Sequence, residues 1–130
     1  HYEIGWMAAK LDTISNYLPA RLCGLLLVVS SKIVGADWKN SISVMRMDHN
    51  NTQSRNGGYP MSALAGALRV KLEKVGFYEL GANIEPLSIE KCNNALKMVK
   101  VSVILLLIFI SIPMVLLLSL IGWWDILYGF

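Results

Sequence analysis

The chain has 130 residues, 55% of them hydrophobic and 16% charged, with a formal net charge of +3. That length suits one modest domain, and the small basic excess, with no recognised module behind it, argues against a nucleic-acid partner. Two cysteines, Cys23 and Cys92, fit neither a disulfide framework nor a zinc site, so they read as free thiols in a reducing compartment.

From the start of the chain, Ile4, Met7, Ala8, Leu11, Ile14 and Leu18 recur at helical spacing. Lys10, Asp12, Ser15 and Asn16 fall mostly on other faces, and Pro19 is expected to kink or restart the helix. Arg21 stands at the edge of an apolar run, Leu22 to Val29. Extended to Ala36, this run spans a bilayer if Lys32 snorkels; it could equally lie in the interface or dip in and return. No charged n-region followed by an apolar h-region is present, so no signal peptide is expected, and the chain reads as the tail of a longer protein.

Residues 37–100 form the polar portion. Trp38 to Lys100 carries nine Lys and Arg against five Asp and Glu, an excess that predicts a cytoplasmic location. Within it, Ser41–Met47 reads as helical, and Asp48–Tyr59, rich in Asn, Gly and Ser, as a loop. A helix is predicted over Met61–Val75, stopped by Gly76. Gly76–Gly81 reads as a turn or short extended piece, and a polar helix, Leu87–Lys100, is expected to run on into the last segment. Val101 to Ile121 contains no charged residue. Such a length spans a bilayer core of about 30 Å as a helix. Pro113 is tolerated there as a kink, and Trp123, Trp124 and Tyr128 come after it as interface aromatics do. The expected fold class is an all-α, multi-pass helical integral membrane protein. It divides into residues 1–36, a motif helix with a marginal membrane segment; 37–100, the polar region; and 101–121, the transmembrane helix.

Ser54–Leu68 is the strongest site candidate. Gly57 and Gly58 permit positive φ and close approach of a ligand, Pro60 suits a first helical turn, and a helix N-terminus attracts phosphate. A tight structural turn is the competing reading of the same residues. The Gly-Lys-Ser/Thr ending of a Walker loop is absent. Asp12 and Asn16, four apart, share a helix face and could hold a metal ion, though capping or a solvated face is the commoner role of such pairs. Arg46, Asp48 and His49 offer a phosphate-pairing guanidinium, a carboxylate for Mg²⁺ and an imidazole suited to proton exchange, or simply a hydrated loop start. Arg69, Lys71 and Lys74 read as a solvated helix end that could touch anionic lipid heads.

Taken together, these blocks resemble one family. Gly5-Trp6, Ala9-Lys10-Leu11-Asp12 and Asn16-Tyr17-Leu18-Pro19-Ala20-Arg21-Leu22 resemble the first signature of the CobD/CbiB cobalamin-biosynthesis proteins. Ser54-Arg55-Asn56-Gly57-Gly58-Tyr59-Pro60, then Ala63, Ala65-Gly66-Ala67-Leu68 and Leu72, resemble the second, and Tyr78 and Gly81 match the family's next block, Y-x-L-G. Thr13 stands where a second Asp is usual, Arg55 where Pro is common, and Gly57-Gly58 where Ala-Gly is usual. The resemblance covers the C-terminal portion of a longer family protein.

It implies adenosylcobinamide-phosphate synthase, a multi-pass enzyme of the cell membrane. The substrates would be adenosylcobyric acid, ATP with Mg²⁺, and aminopropanol or its O-phosphate, joined through an amide bond. The corrinoid is a substrate rather than a prosthetic group. Asp12, Asp48 and His49 would be catalytic, with Asp12 and Asp48 also the candidates for Mg²⁺. Asn16, Arg21, Arg46, Ser54, Asn56, Gly57, Gly58 and Tyr59 would bind substrate and phosphate, and Arg55 is a further candidate to neutralise phosphate. Implied partners are the lipid bilayer and other cobalamin-biosynthesis membrane proteins. Two alternatives are an AmpE-like inner-membrane signalling protein and a plain membrane anchor or transporter subunit. The intact Asn56-Gly57 loop and the Pro19-Ala20-Arg21 block favour the enzyme.

Overall fold

The computed structural model describes residues 2–129, apart from the side chain of Trp124. The chain is mostly helical. Helices α1 (Tyr2–Ser15) and α2 (Tyr17–Val34) form one rod broken at Asn16. Pro19 explains the break: it has no N–H to give Ser15, and its ring crowds that carbonyl. The bonds on either side survive, Asn16 N–H to Asp12 O at 3.0 Å and Ala20 N–H to Asn16 O at 3.1 Å. Gly35 then ends α2 at φ 87°, and Asp37 caps α3 (Trp38–Asp48) by accepting from the Asn40 N–H at 3.0 Å.

Helix α4 (Gly58–Leu68) packs tightly against α3 and α2. A Cβ at Gly66 would lie 2.6 Å from the Asn40 carbonyl oxygen, so only glycine lets these backbones meet. Side chains of α3 lock the contact: Ser41 Oγ donates to Ala63 O at 2.7 Å and Asn40 Nδ2 to Gly66 O at 2.8 Å. Leu27, Val28, Met45, Ala63, Ala67, Leu68, Val70 and Met98 form the buried core between these helices.

The chain departs from its predicted course after Leu68. The helix does not run to Val75. Arg69 adopts the left-handed conformation at φ 58°, with Arg69 N–H bonded to Gly66 O and Val70 N–H to Ala65 O, the paired bonds of a Schellman ending. Arg69 bears this conformation because its guanidinium is paired with Asp37 at 2.9 Å and Glu85 at 3.6 Å. Strands β1 (Leu72–Lys74) and β2 (Tyr78–Leu80) come next as an antiparallel hairpin, with Leu72 opposite Leu80 and Gly76 in its turn.

Helix α5 (Ile89–Tyr128) runs unbroken through Pro113. Its first part packs on α2, where Ser30 Oγ and Ser102 Oγ share a buried hydrogen bond at 2.7 Å. Beyond Leu106 every described side chain is exposed, including Phe109, Leu116 and Trp123. The α1–α2 rod and α5 are both long and apolar enough to cross a membrane.

Candidate active-site cleft

Thr13, Tyr17 and Arg21 lie four residues apart along the broken rod and form one wall of a cleft of about 520 Å³. The segment after α3 supplies the other wall: His49, Asn50, Arg55, Asn56 and, in the first turn of α4, Tyr59. The two walls are tied together by Asn56. Its buried Nδ2 donates to Thr13 O at 2.9 Å. That carbonyl lies in the last turn of α1, where the helix itself leaves acceptors unused.

Arg21 is held between aromatic rings. Its Cζ lies 3.3 Å from the Tyr17 ring centre and 4.5 Å from that of Tyr59, and Nη1 donates to Tyr17 O at 2.9 Å. A guanidinium stacked in this way keeps its charge while losing its freedom to swing. No carboxylate pairs with it among the described residues. The His49 ring stacks on Tyr59, with centroids 4.5 Å apart and planes 25° apart. His49 Nδ1 lies 2.9 Å from Met45 O and 3.1 Å from Arg46 O. Carbonyls only accept, so in the neutral ring Nδ1 carries the proton and Nε2 is left as an acceptor. The cleft thus joins a fixed cation to a proton acceptor.

Four of the predicted site residues, Arg21, His49, Asn56 and Tyr59, line this cleft. Of the two glycines, Gly58 is required by the packing. Neither takes positive φ: Gly57 is at −63°, and Gly58 is absent from the left-handed positions. The close approach at Gly58 is to protein, since a Cβ there would fall 1.8 Å from His49 O. Gly57 N–H is satisfied by Ser54 Oγ at 3.4 Å. Asp48 Oδ2 accepts from Gly81 N–H at 2.7 Å, tying α3 to the hairpin. Asp12 Oδ1 accepts from Asn16 Nδ2 at 3.0 Å on the exposed side of the break. Arg46 is exposed in the last turn of α3 and reaches the cleft only through its carbonyl, which contacts His49. Asp12 and Asp48 therefore lie on different elements, and the described residues hold no cluster of three metal-ligating side chains.

Sequence reasoning missed Thr13, Tyr17 and Asn50. Tyr17 had a signal: it precedes Arg21 by four residues, the helical spacing that stacks a ring on a guanidinium. Asn50 had none, because only the course of the loop brings it to the cleft.

Residues 1–106 match the family of CobD/Cbib proteins. The chain belongs to that family. A probable cobalamin biosynthesis protein CobD of Methanothermobacter thermautotrophicus is 42% identical over 103 residues, covering 79% of this chain and 35% of the relative. Its counterpart in Methanocaldococcus jannaschii is 38% identical over 108 residues, covering 83% and 34%. The cobalamin biosynthesis protein CobD of Dehalococcoides mccartyi is 46% identical over 87 residues, covering 66% and 28%. The chain thus spans about a third of the length of the curated CobD/CbiB relatives it matches. No solved structure matches it significantly.

Proposed function

We propose that this chain serves cobalamin biosynthesis as part of an adenosylcobinamide-phosphate synthase, a multi-pass membrane enzyme that makes an amide at the expense of ATP. Membership of the CobD/CbiB family supports the pathway. The observation that carries the chemistry is the stacked, unpaired Arg21 beside an imidazole with a free acceptor.

A carboxylate is a poor acyl donor. In the proposed reaction, the carboxylate oxygen of adenosylcobyric acid attacks the γ-phosphorus of ATP, and ADP leaves. The amine of aminopropanol, or of its O-phosphate, then attacks the acyl carbon. Inorganic phosphate departs and the amide remains. Arg21 holds the negative charge of the carboxylate and of the tetrahedral oxyanion formed from it. His49 Nε2 takes the proton that the amine loses. Mg²⁺ arriving with the nucleotide would shield the phosphates. It usually needs only one or two protein carboxylates besides phosphate oxygens; of the two candidates, Asp12 is the exposed one and keeps Oδ2 free beside its bond from Asn16, whereas Asp48 is tied to Gly81. We place the exposed apolar part of α5 across the bilayer, with the polar region in the cytoplasm on the strength of its basic excess.

The acyl-phosphate step has a direct test. Adenosylcobyric acid labelled with ¹⁸O in its reacting carboxyl is given to the full-length protein with Mg-ATP and the amine. One label per turnover is expected in inorganic phosphate. Amide formed without label in phosphate would overturn the step.

A further inference from the structure

Thr13 and Arg55 face two hollows at once. Besides the cleft, they line a second space of about 510 Å³, bounded also by Lys10, Gln53 and Ser54. The two spaces are therefore neighbours with Thr13 and Arg55 between them, and no carboxylate lines either. This contrasts with the hairpin side of the molecule, where Arg69, Lys71 and Lys91 all pair with acidic side chains. Lys10 and Arg55 enter no ion pair among the described residues.

The donors of the second space are available. Lys10 Nζ sits 4.7 Å above the Trp6 ring, a contact that takes none of its hydrogen-bond donors. Ser54 Oγ already accepts from Gly57 N–H, which leaves its own O–H to donate outward. The wall is fixed at two points, by Asn56 on Thr13 O and by Thr52 Oγ1 donating to Ser54 O at 2.5 Å. A guanidinium, an ammonium and a hydroxyl lining one space without a carboxylate suit a phosphate dianion.

We propose that Lys10, Ser54 and Arg55 form a phosphate-binding compartment that borders the Arg21 cleft. It holds the phosphate of a substrate whose reacting end lies beside Arg21 and His49. For its substrates the proposal rests on the acid–amine ligase reading, which supplies two phosphate carriers, ATP and the phosphorylated amine.

The test uses the full-length protein in membranes, as wild type, Arg55→Gln, Lys10→Gln and Arg55→Lys. KM is measured for ATP, for aminopropanol phosphate and for aminopropanol. Binding of the two phosphate carriers is measured separately by equilibrium dialysis. Loss of one charged hydrogen bond is expected to raise KM and Kd for one phosphate carrier about tenfold in Arg55→Gln. Lys10→Gln should act in the same direction, Arg55→Lys should recover part of the loss, and KM for unphosphorylated aminopropanol should not move. The carrier that responds identifies the source of the phosphate. Unchanged binding of both carriers in Arg55→Gln would overturn the proposal, as would an equal rise for the unphosphorylated amine. Arg55-dependent binding by a wild-type protein that makes no amide would sink the ligase reading and leave the compartment standing.

Discussion

Gly58 meets the His49 carbonyl so closely that no other residue fits without moving α3 or α4. Gly58→Ala should therefore cost about 1–3 kcal/mol of stability, the range for forced overpacking. Thermal unfolding in detergent measures it, and an unchanged melting temperature would show that the backbones are free to separate. The cost arises without any ligand, which separates a folding role from a phosphate-binding one. Arg21 is the opposite case. It is half-buried on α2, and its charge is balanced by rings rather than by a carboxylate. At the scale of single residues, the motif thus holds a glycine, Gly58, that lets backbones meet, and polar side chains that the meeting positions. Both kinds stand out equally in the sequence, so the packing role of Gly58 is not legible there.

Among the elements, the least local is the ending of α4. Asp37 before α3, Arg69 after α4, Glu85 in the loop and Lys91 in α5 form one chain of ion pairs. Glu85 is held below its ordinary value of 4.5 first by its hydrogen bond with Lys91, which outweighs the opposing effect of desolvation, and further by the charges of Lys91 and Arg69. A lowered carboxyl contributes stability that is present above the unfolded-state value and lost as pH falls through the folded one. Acidification below about 4.5 should therefore lower the protection factor of the Glu85 amide, its exchange relative to an unstructured amide at the same pH; that amide is bonded to Arg69 O at 3.0 Å. Glu85→Gln should remove that dependence. Equal pH dependence in both proteins would contradict the assignment.

The same elements mark the limit of what the sequence could disclose. The break at Pro19, the loop after Asp48 and the apolar run of α5 arise from local chemistry, and each stands where periodicity and turn residues put it. The predicted helix through Val75 failed because Arg69 takes a glycine-like conformation on the strength of partners 32 and 16 residues away in sequence, Asp37 and Glu85. Helical periodicity carries no trace of such pairings. In the cleft, Arg21, His49, Asn56 and Tyr59 were legible from motif and chemistry. Their union depends on the hydrogen bond from Asn56 to Thr13, which links residues 43 apart.

Viewed whole, the molecule sets a packed helical body against a long exposed apolar helix. At 1.5 Å per residue the 40 residues of α5 extend about 60 Å, twice a bilayer core, so its first turns stand clear of the membrane with the body. Cys92 lies in those turns and is exposed. In the full-length protein with other cysteines replaced, Cys92 should react with a membrane-impermeant maleimide in inverted vesicles and not in right-side-out ones. Labelling from the outer face alone would reverse the proposed orientation.

In the proposed function, the Arg21 cleft belongs to an ATP-dependent amide-forming enzyme. The most direct measurement is turnover by full-length protein in membranes, given adenosylcobyric acid, Mg-ATP and aminopropanol or its phosphate, with the amide read by mass spectrometry. The account predicts product that vanishes without ATP and a rate lower by about 10² in Arg21→Gln, as for loss of an oxyanion-stabilising donor. No product with either amine from inserted, intact protein would contradict it, and so would an undiminished rate in Arg21→Gln.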